Sequence, residues 1–219
     1  MIKAKTLFTE NDFAEKMRVS RETLQNLSKY SELVKQWQEQ INLVGLSTLN
    51  DIWCRHMLDS GQLSNLIIDR NAKIIDLGSG AGFPGLVLSI MGFSNVVLIE
   101  ANKKKCNFLN EVIRVTKCKA VVFNGRIEGY KNKGGLDYII ARALAPLDRL
   151  IKLSLPVNSG QVRCLFLKGR NYEQELTQAK KKWSMDVRIH KSLSFTLSPV
   201  AEKEFHGVVL EIDNLRLKG

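Results

Sequence analysis

The chain reads KIIDLGSGAGFPG from Lys73 to Gly85. Lys73–Leu77 is a short apolar run, which predicts a buried β-strand. The glycines that follow it allow a sharp turn and let a ligand approach the backbone closely. Pro84 suits the first turn of a helix that begins after the glycines. A strand, a glycine-rich turn and a helix in this order predict the ligand-binding turn of a doubly wound α/β sheet.

The rest of the chain alternates short apolar runs with helical segments. Further strands are predicted at Asn95–Glu100, Ala120–Phe123, Tyr138–Ala141 and Val162–Leu167. The intervening helices are predicted near 86–91, 103–115, 147–155 and 172–183. This alternation predicts a parallel sheet with helices on both faces. Two consecutive strands, Val187–Phe195 and Val208–Ile212, end the chain, which predicts an antiparallel hairpin at the C-terminal edge of the sheet.

The segment before the first strand is predicted to be helical. Apolar residues follow helical spacing from Leu24 to Ile41, with Ser20 as the N-cap, and a second helix is predicted after Thr48. No strand is predicted before residue 73. The sequence therefore predicts an N-terminal helical extension, residues 1–70, and an α/β domain, residues 71–219.

The distribution of charge points to an anionic partner. The formal net charge is +11. Residues 1–70 hold nine Lys/Arg and nine Asp/Glu, whereas residues 71–219 hold 24 and 13. A basic α/β domain favours a partner such as nucleic acid. The alternative is that the lysine runs 103–105 and 180–182 are solvated helix faces.

Composition also excludes several classes of protein. No run approaches the roughly 18 apolar residues of a membrane span, and no secretory signal is recognisable, so a cytoplasmic protein without a membrane partner is expected. None of the four cysteines forms a CxxC pair, so no metal site is predicted.

The glycine-rich turn fits two cofactors. Gly80, Gly82 and Gly85 match the dinucleotide pattern GxGxxG, which leaves an NAD-dependent oxidoreductase as an alternative. Asp76, however, precedes the glycines in the arrangement DxGxGxG, which resembles motif I of S-adenosylmethionine-dependent methyltransferases. That cofactor has no phosphate and carries a cationic sulfonium, which an acidic residue such as Asp76 suits, directly or through water. Glu100 ends the second strand, where a carboxylate can accept the ribose hydroxyls of either cofactor.

The loops after the later strands supply further candidates. Ile127 and Glu128 follow the third strand and are expected beside the adenine. Arg142 follows the fourth strand and is a candidate to steer a phosphate, contact the target base or hold the cofactor carboxylate. Lys168, after the fifth strand, is a candidate contact to an RNA phosphate.

The loop Arg142–Pro146 also bears on the reaction. It has neither the Asn/Asp-Pro-Pro motif of adenine amino-methylation nor the cysteine nucleophile of cytosine-C5 methylation. Guanine N7 needs neither, because its lone pair can attack a methyl group without losing a proton. Catalysis then depends on positioning and on the exclusion of water.

Several motifs together resemble the small-subunit rRNA guanine-N7 methyltransferases, the glucose-inhibited division protein B family. They are Asn42-Leu43, Arg55–Ser60 (RHMLDS), Asp76–Gly85, Arg142-Ala143 and Leu167–Gly169. The resemblance spans about Asn42 to Gly169. One departure follows Glu100, where Ala101-Asn102-Lys103 replaces the family's usual Ser and Lys-Arg pair.

The resemblance implies a Rossmann-like class I methyltransferase domain that transfers a methyl group from S-adenosylmethionine to N7 of a guanine in 16S rRNA. The implied cofactor contacts are Gly78, Phe83, Ile127, Glu128 and Arg142, and the glycine-rich turn and the end of the second strand add Gly80 and Glu100 as predicted contacts. Lys168 and Arg126 match positions near the RNA or the cofactor mouth, and His56 and Arg142 are candidates for positioning. For His56 a general base and a structural role are the alternatives, and the structural role is favoured because attack by N7 requires no base. The expected partner is the small ribosomal subunit, with the enzyme acting as a monomer; another RNA substrate is the alternative.

Overall fold

The computed structural model describes residues 7–132, 134–158, 162–194 and 207–218. Seven strands form one sheet in the order β3-β2-β1-β4-β5-β7-β6. The strands are β1 (Lys73–Leu77), β2 (Asn95–Glu100), β3 (Val121–Asn124), β4 (Tyr138–Arg142), β5 (Arg163–Lys168), β6 (Trp183–Lys191) and β7 (Val208–Leu217). The first five run parallel, and β7 pairs antiparallel with both β5 and β6. The chain reverses its direction of winding between β1 and β4, and ligands bind at this point in such sheets.

Helices cover the sheet. They are α1 (Glu10–Met17), α2 (Arg21–Gln38), α3 (Leu46–Leu49), α4 (Asp59–Gly61), α5 (Gly85–Ile90), α6 (Lys103–Thr116), α7 (Leu147–Ser154) and α8 (Tyr172–Lys182), together with a π-helix at Trp53–Leu58 and 3₁₀ turns at Gln62–Asn65 and Ile127–Gly129. Consecutive strand residues belong to different apolar cores, with Ile74 in one and Ile75 in the other. This alternation places one core on each face of the sheet.

The N-terminal helices share one of these cores with the sheet. Phe13, Leu27 and Val34 lie in the same buried cluster as Leu86 and Val87 of α5. Burial of this much apolar surface docks α1 and α2 firmly against the sheet. The boundary at residue 70 stays a prediction, but the helical segment packs as part of one body.

The predicted fold class is confirmed, with differences in detail. Ser20 caps α2 by accepting a hydrogen bond from the Thr23 amide, as predicted. The last two strands form the antiparallel edge, although β7 lies inside it and β6 is outermost. Strand β6 begins at Trp183, four residues earlier than predicted, and Phe195 at its predicted end lies outside the described residues. No helix in the described part of the chain has the length and apolarity to cross a bilayer.

Candidate active site

A cavity of about 400 Å³ opens at the carboxyl ends of the parallel strands. All seven residues predicted to contact the cofactor line it: Gly78, Gly80, Phe83, Glu100, Ile127, Glu128 and Arg142. The volume falls in the range of small-molecule sites. Other lining residues were not predicted as site residues, among them Lys105 and Arg149. Nothing in the local pattern of these two cations distinguishes them from surface residues, whereas Leu43, which also lines the cavity, belongs to the Asn42-Leu43 motif.

The turn that follows β1 forms the floor of the cavity and requires glycine at position 78. Its φ is +64°, a conformation that L side chains rarely adopt. A Cβ added there would lie 2.5 Å from Cδ1 of Leu144, which comes from the loop after β4. The glycine thus allows two loops to approach each other at the centre of the site.

Glu100 is held in place by backbone donors. Its Oε2 accepts a hydrogen bond from the Gly80 amide at 2.9 Å, and its Oε1 accepts one from the Asn102 amide at 2.7 Å. Each carboxylate oxygen can accept a second hydrogen bond. The half-buried carboxylate therefore faces the cavity with acceptor capacity left for a ligand hydroxyl.

Asp76 does not face the cavity. It is fully buried, and its Oδ2 accepts a hydrogen bond from the Gly85 amide at 3.0 Å. Burial raises the pKa of this carboxyl group to about 7. Asp76 Oδ2 thus braces the glycine loop from beneath, and the nearness of Asp76 to a cationic ligand stays a prediction.

A second cavity of about 730 Å³ adjoins the first. The two cavities share the wall residues Leu43, Arg142, Ala143 and Leu144. The second is otherwise bordered by the π-helix, the end of β5 and the start of β7. A ligand in each cavity would meet at this shared wall.

Arg142 is fixed at that wall by three contacts. Its Nη1 donates to the Arg55 carbonyl at 3.0 Å and its Nη2 donates to His56 Nδ1 at 2.6 Å. Its guanidinium carbon lies 4.9 Å from the centroid of the Phe83 ring, an arrangement that stabilises a cation. Two of its five N–H groups are used in these hydrogen bonds, so donors remain for a ligand.

His56 is a neutral acceptor in this arrangement. An arginine can only donate, so His56 Nδ1 is unprotonated and Nε2 carries the proton, which points to Thr48 Oγ1 at 2.8 Å. Burial and the charges of Arg142 and Arg55 lower the pKa of His56 well below its usual value. The Nδ1 lone pair is occupied by Arg142. The geometry thus gives His56 a positioning contact to Arg142.

The Lys168 side chain makes contacts within the protein. Its ammonium pairs with Glu175 at 2.5 Å and donates to the Ala145 carbonyl at 2.9 Å, and its side chain is 8% exposed. Glu175 also accepts from the Leu147 amide at 2.7 Å. Lys168 therefore anchors the loop after β4. Lys168 also lines the second cavity described above, and its contact to an RNA phosphate stays a prediction.

Arg126 and Asp59 take different positions. Arg126 is exposed at the mouth of the first cavity. Asp59 is buried, and its Oδ1 accepts hydrogen bonds from Gln62, Ser192 and Ser194. Asp59 thus ties the π-helix segment to the chain that follows β6.

Among the residues that the structure describes, no group of His, Cys, Asp and Glu is placed to hold a metal ion.

Solved structures of methyltransferases share the fold. A TehB-like S-adenosylmethionine-dependent methyltransferase from Corynebacterium glutamicum aligns with 86% of this chain and 99% of its own, with a TM-score of 0.54 and 14% identity. TYW2 from M. jannaschii, solved in complex with AdoMet, aligns with 71% of this chain and 76% of its own, with a TM-score of 0.52 and 16% identity. At these identities the similarity concerns the fold alone.

Sequence relatives are much closer. "Ribosomal RNA small subunit methyltransferase G" of Paramagnetospirillum magneticum is 52% identical over 170 residues, which is 78% of this chain and 82% of that protein. The protein of the same name from Rickettsia akari is 39% identical over 201 residues, 91% and 98% of the two chains. The sequence profile of the family GidB, described as rRNA small subunit methyltransferase G, matches residues 23–204. The chain therefore belongs to the GidB family of small-subunit rRNA methyltransferases.

Proposed function

We propose that this enzyme transfers a methyl group from S-adenosylmethionine to N7 of a guanine in 16S rRNA. The observation that carries the proposal is the pair of adjoining cavities with Arg142 in their shared wall. One cavity suits the cofactor and the other suits a flipped-out base. Family membership supports small-subunit rRNA as the substrate, and the cytoplasm is where that RNA is found.

The first cavity fits the cofactor in chemistry as well as in size. Glu100 offers carboxylate lone pairs for the ribose hydroxyls, and Ile127 with Glu128 offers an apolar and a polar contact for the adenine. Arg142 offers unused N–H donors for a carboxylate. At the floor of the cavity, a side chain in place of Gly78 would collide with Leu144.

The second cavity supports attack by a nitrogen that needs no base. When bound, the cofactor supplies an electrophilic methyl group, and the N7–carbon bond forms as the carbon–sulfur bond breaks. No proton leaves N7. The candidate bases that line this cavity already accept hydrogen bonds from the protein. His56 accepts from Arg142, Asp59 accepts from two serines and Gln62, and Glu175 is paired with Lys168. The chain's own contribution is to orient the base and exclude water.

The test is methyl transfer from labelled S-adenosylmethionine to small ribosomal subunits from cells that lack the modification, followed by digestion and identification of nucleosides. We expect the label in 7-methylguanosine of 16S rRNA. Label in another nucleoside would overturn the choice of N7. Absence of label in subunits and naked 16S rRNA, with adenosylhomocysteine still bound, would overturn the choice of substrate.

A further inference from the structure

Five cations surround the mouth of the first cavity. Lys105, Arg126 and Arg149 line it, and Lys103 and Lys104 are exposed beside it at the start of α6; we refer to these five residues as the cationic rim. Within the described residues, none of the five side chains has an ion pair. Two carboxylates, Glu100 and Glu128, line the same cavity, so cations predominate.

The three lysines oppose the stability of their own helix. Lys103, Lys104 and Lys105 occupy the first turn of α6, which has no acidic residue. Positive charge at a helix N-terminus is unfavourable, because the helix dipole is positive there. The Asn102 side chain caps this turn, accepting from the Lys104 and Lys105 amides. The side-chain charges therefore do not serve the helix, which indicates a function outside it.

The cofactor does not account for these charges either. S-adenosylmethionine carries a sulfonium, an ammonium and one carboxylate, so its net charge is positive. Additional cations at the mouth repel such a ligand, and Arg142 already suits its one carboxylate. A cluster of unpaired cations around a cationic ligand's cavity instead favours a polyanion that lies across the opening.

We propose that the cationic rim binds the phosphate backbone of the RNA beside the target guanine. The RNA then enters the second cavity with one base while its backbone crosses the mouth of the first. This inference rests on the proposed function, since it takes RNA as the substrate. It assigns RNA contact to Arg126, together with Arg149 and the lysines of α6.

The test compares two variants that each lose three positive charges. The rim variant is Lys104→Gln, Arg126→Gln and Arg149→Gln, which leaves Lys105 to line the cavity. The control variant is Lys16→Gln, Lys180→Gln and Lys181→Gln, on exposed positions of α1 and α8 away from both cavities. Affinity for 16S rRNA is measured as a function of salt concentration for wild type and both variants, together with affinity for adenosylhomocysteine and KM for small subunits.

The logarithm of the affinity falls with the logarithm of the salt concentration, and each lost phosphate contact reduces the magnitude of this slope by about 0.7–0.9. We expect the rim variant to lose about 2 from the magnitude of this slope and to raise the KM for RNA on the order of 10-fold. Rim and control variants with the same slope and KM would overturn the proposal. Because RNA binding is measured directly, the result stands even if wild type methylates a different nucleoside.

Discussion

Gly78 shows how one missing Cβ shapes the site. We predict that Gly78→Ala weakens adenosylhomocysteine binding by roughly 10-fold or more and destabilises the fold by about 1–2 kcal/mol, because its φ of +64° strains an L residue and the new Cβ meets Leu144. Isothermal titration and chemical unfolding measure the two effects. The matched control is Gly92→Ala, where φ is +100° and no atom lies within 4 Å of the new Cβ. It should lower stability alone, and equal losses of affinity in the two variants would contradict this explanation.

His56 gives a prediction with a defined pH dependence. Its pKa in the folded protein lies well below the usual 6.5. At acidic pH the unfolded chain therefore binds more protons there than the folded chain does. The contribution of His56 to the unfolding free energy should therefore fall as pH decreases below about 6.5, and His56→Asn should remove it. Asp76 has the opposite effect between about pH 4 and 7, because its raised pKa makes the folded chain bind more protons there. The prediction is checked by the difference between wild type and variant in the slope of unfolding free energy against pH, measured between pH 5 and 7 by denaturant titration.

Kinetics of His56 variants separate positioning from acid–base catalysis. Asparagine can offer an oxygen near the Nδ1 position to Arg142, whereas leucine cannot. We expect His56→Asn to keep most of kcat and His56→Leu to lose it on the order of 10-fold or more. If His56 were a general base, both variants would lose activity equally. The charged side chains that act on His56 are Arg142 and Arg55.

The sequence indicated His56 and Arg142 as important, but not their contact. Their motifs are 86 residues apart, and only the packing of the π-helix against the end of β4 brings them together. For the same reason, the sequence did not reveal that Asp76 Oδ2 accepts a hydrogen bond from the Gly85 amide. A short motif identifies residue types at the site, whereas orientation depends on neighbours from distant elements.

Among elements, β5, α8 and the loop after β4 are joined by the Lys168–Glu175 pair. We predict that Lys168→Met costs about 2 kcal/mol or more, because it leaves a partly buried carboxylate unpaired. A double-mutant cycle with Glu175→Gln should give a coupling energy of about 1–3 kcal/mol. The exposed pair Lys35–Glu32, at 2.8 Å, is the control and should give less than about 1 kcal/mol. Similar coupling in both pairs would show that Lys168 is not an anchor.

The order of the elements was predictable because apolar residues recur with the periods of strands and helices, and a single sequence is enough to show this. Strands β1, β2 and β4 began at the predicted residues. The start of β6 was not predicted, because Trp183 directly follows a lysine-rich helix and continues its pattern. The π-helix at Trp53–Leu58 was predicted as ordinary helix, since the apolar spacing of the two types is alike over six residues.

For the whole molecule, the N-terminal helices support the cofactor loop. The Tyr30 hydroxyl of α2 donates to the Ala81 carbonyl, and the Tyr30 ring stacks on Phe83 with centroids 5.1 Å apart. Apolar periodicity predicted which face of α2 is buried but not what it packs against. The segment predicted as an extension is therefore part of the wall behind the active site.

The cationic rim predicts the order in which ligands leave. If the RNA backbone crosses the mouth of the first cavity, a bound cofactor product cannot escape until the RNA departs. We predict that saturating 16S rRNA slows the dissociation of labelled adenosylhomocysteine by roughly 10-fold or more, since escape requires the RNA contacts to break first. A chase with unlabelled compound measures the rate. The rim variant, at RNA concentrations that saturate it, should show a smaller effect. With fewer phosphate contacts at the mouth, the RNA bound to this variant should detach from the mouth more often. An equal rate with and without RNA would mean that the substrate covers the second cavity alone and leaves the cofactor free to exchange between turnovers.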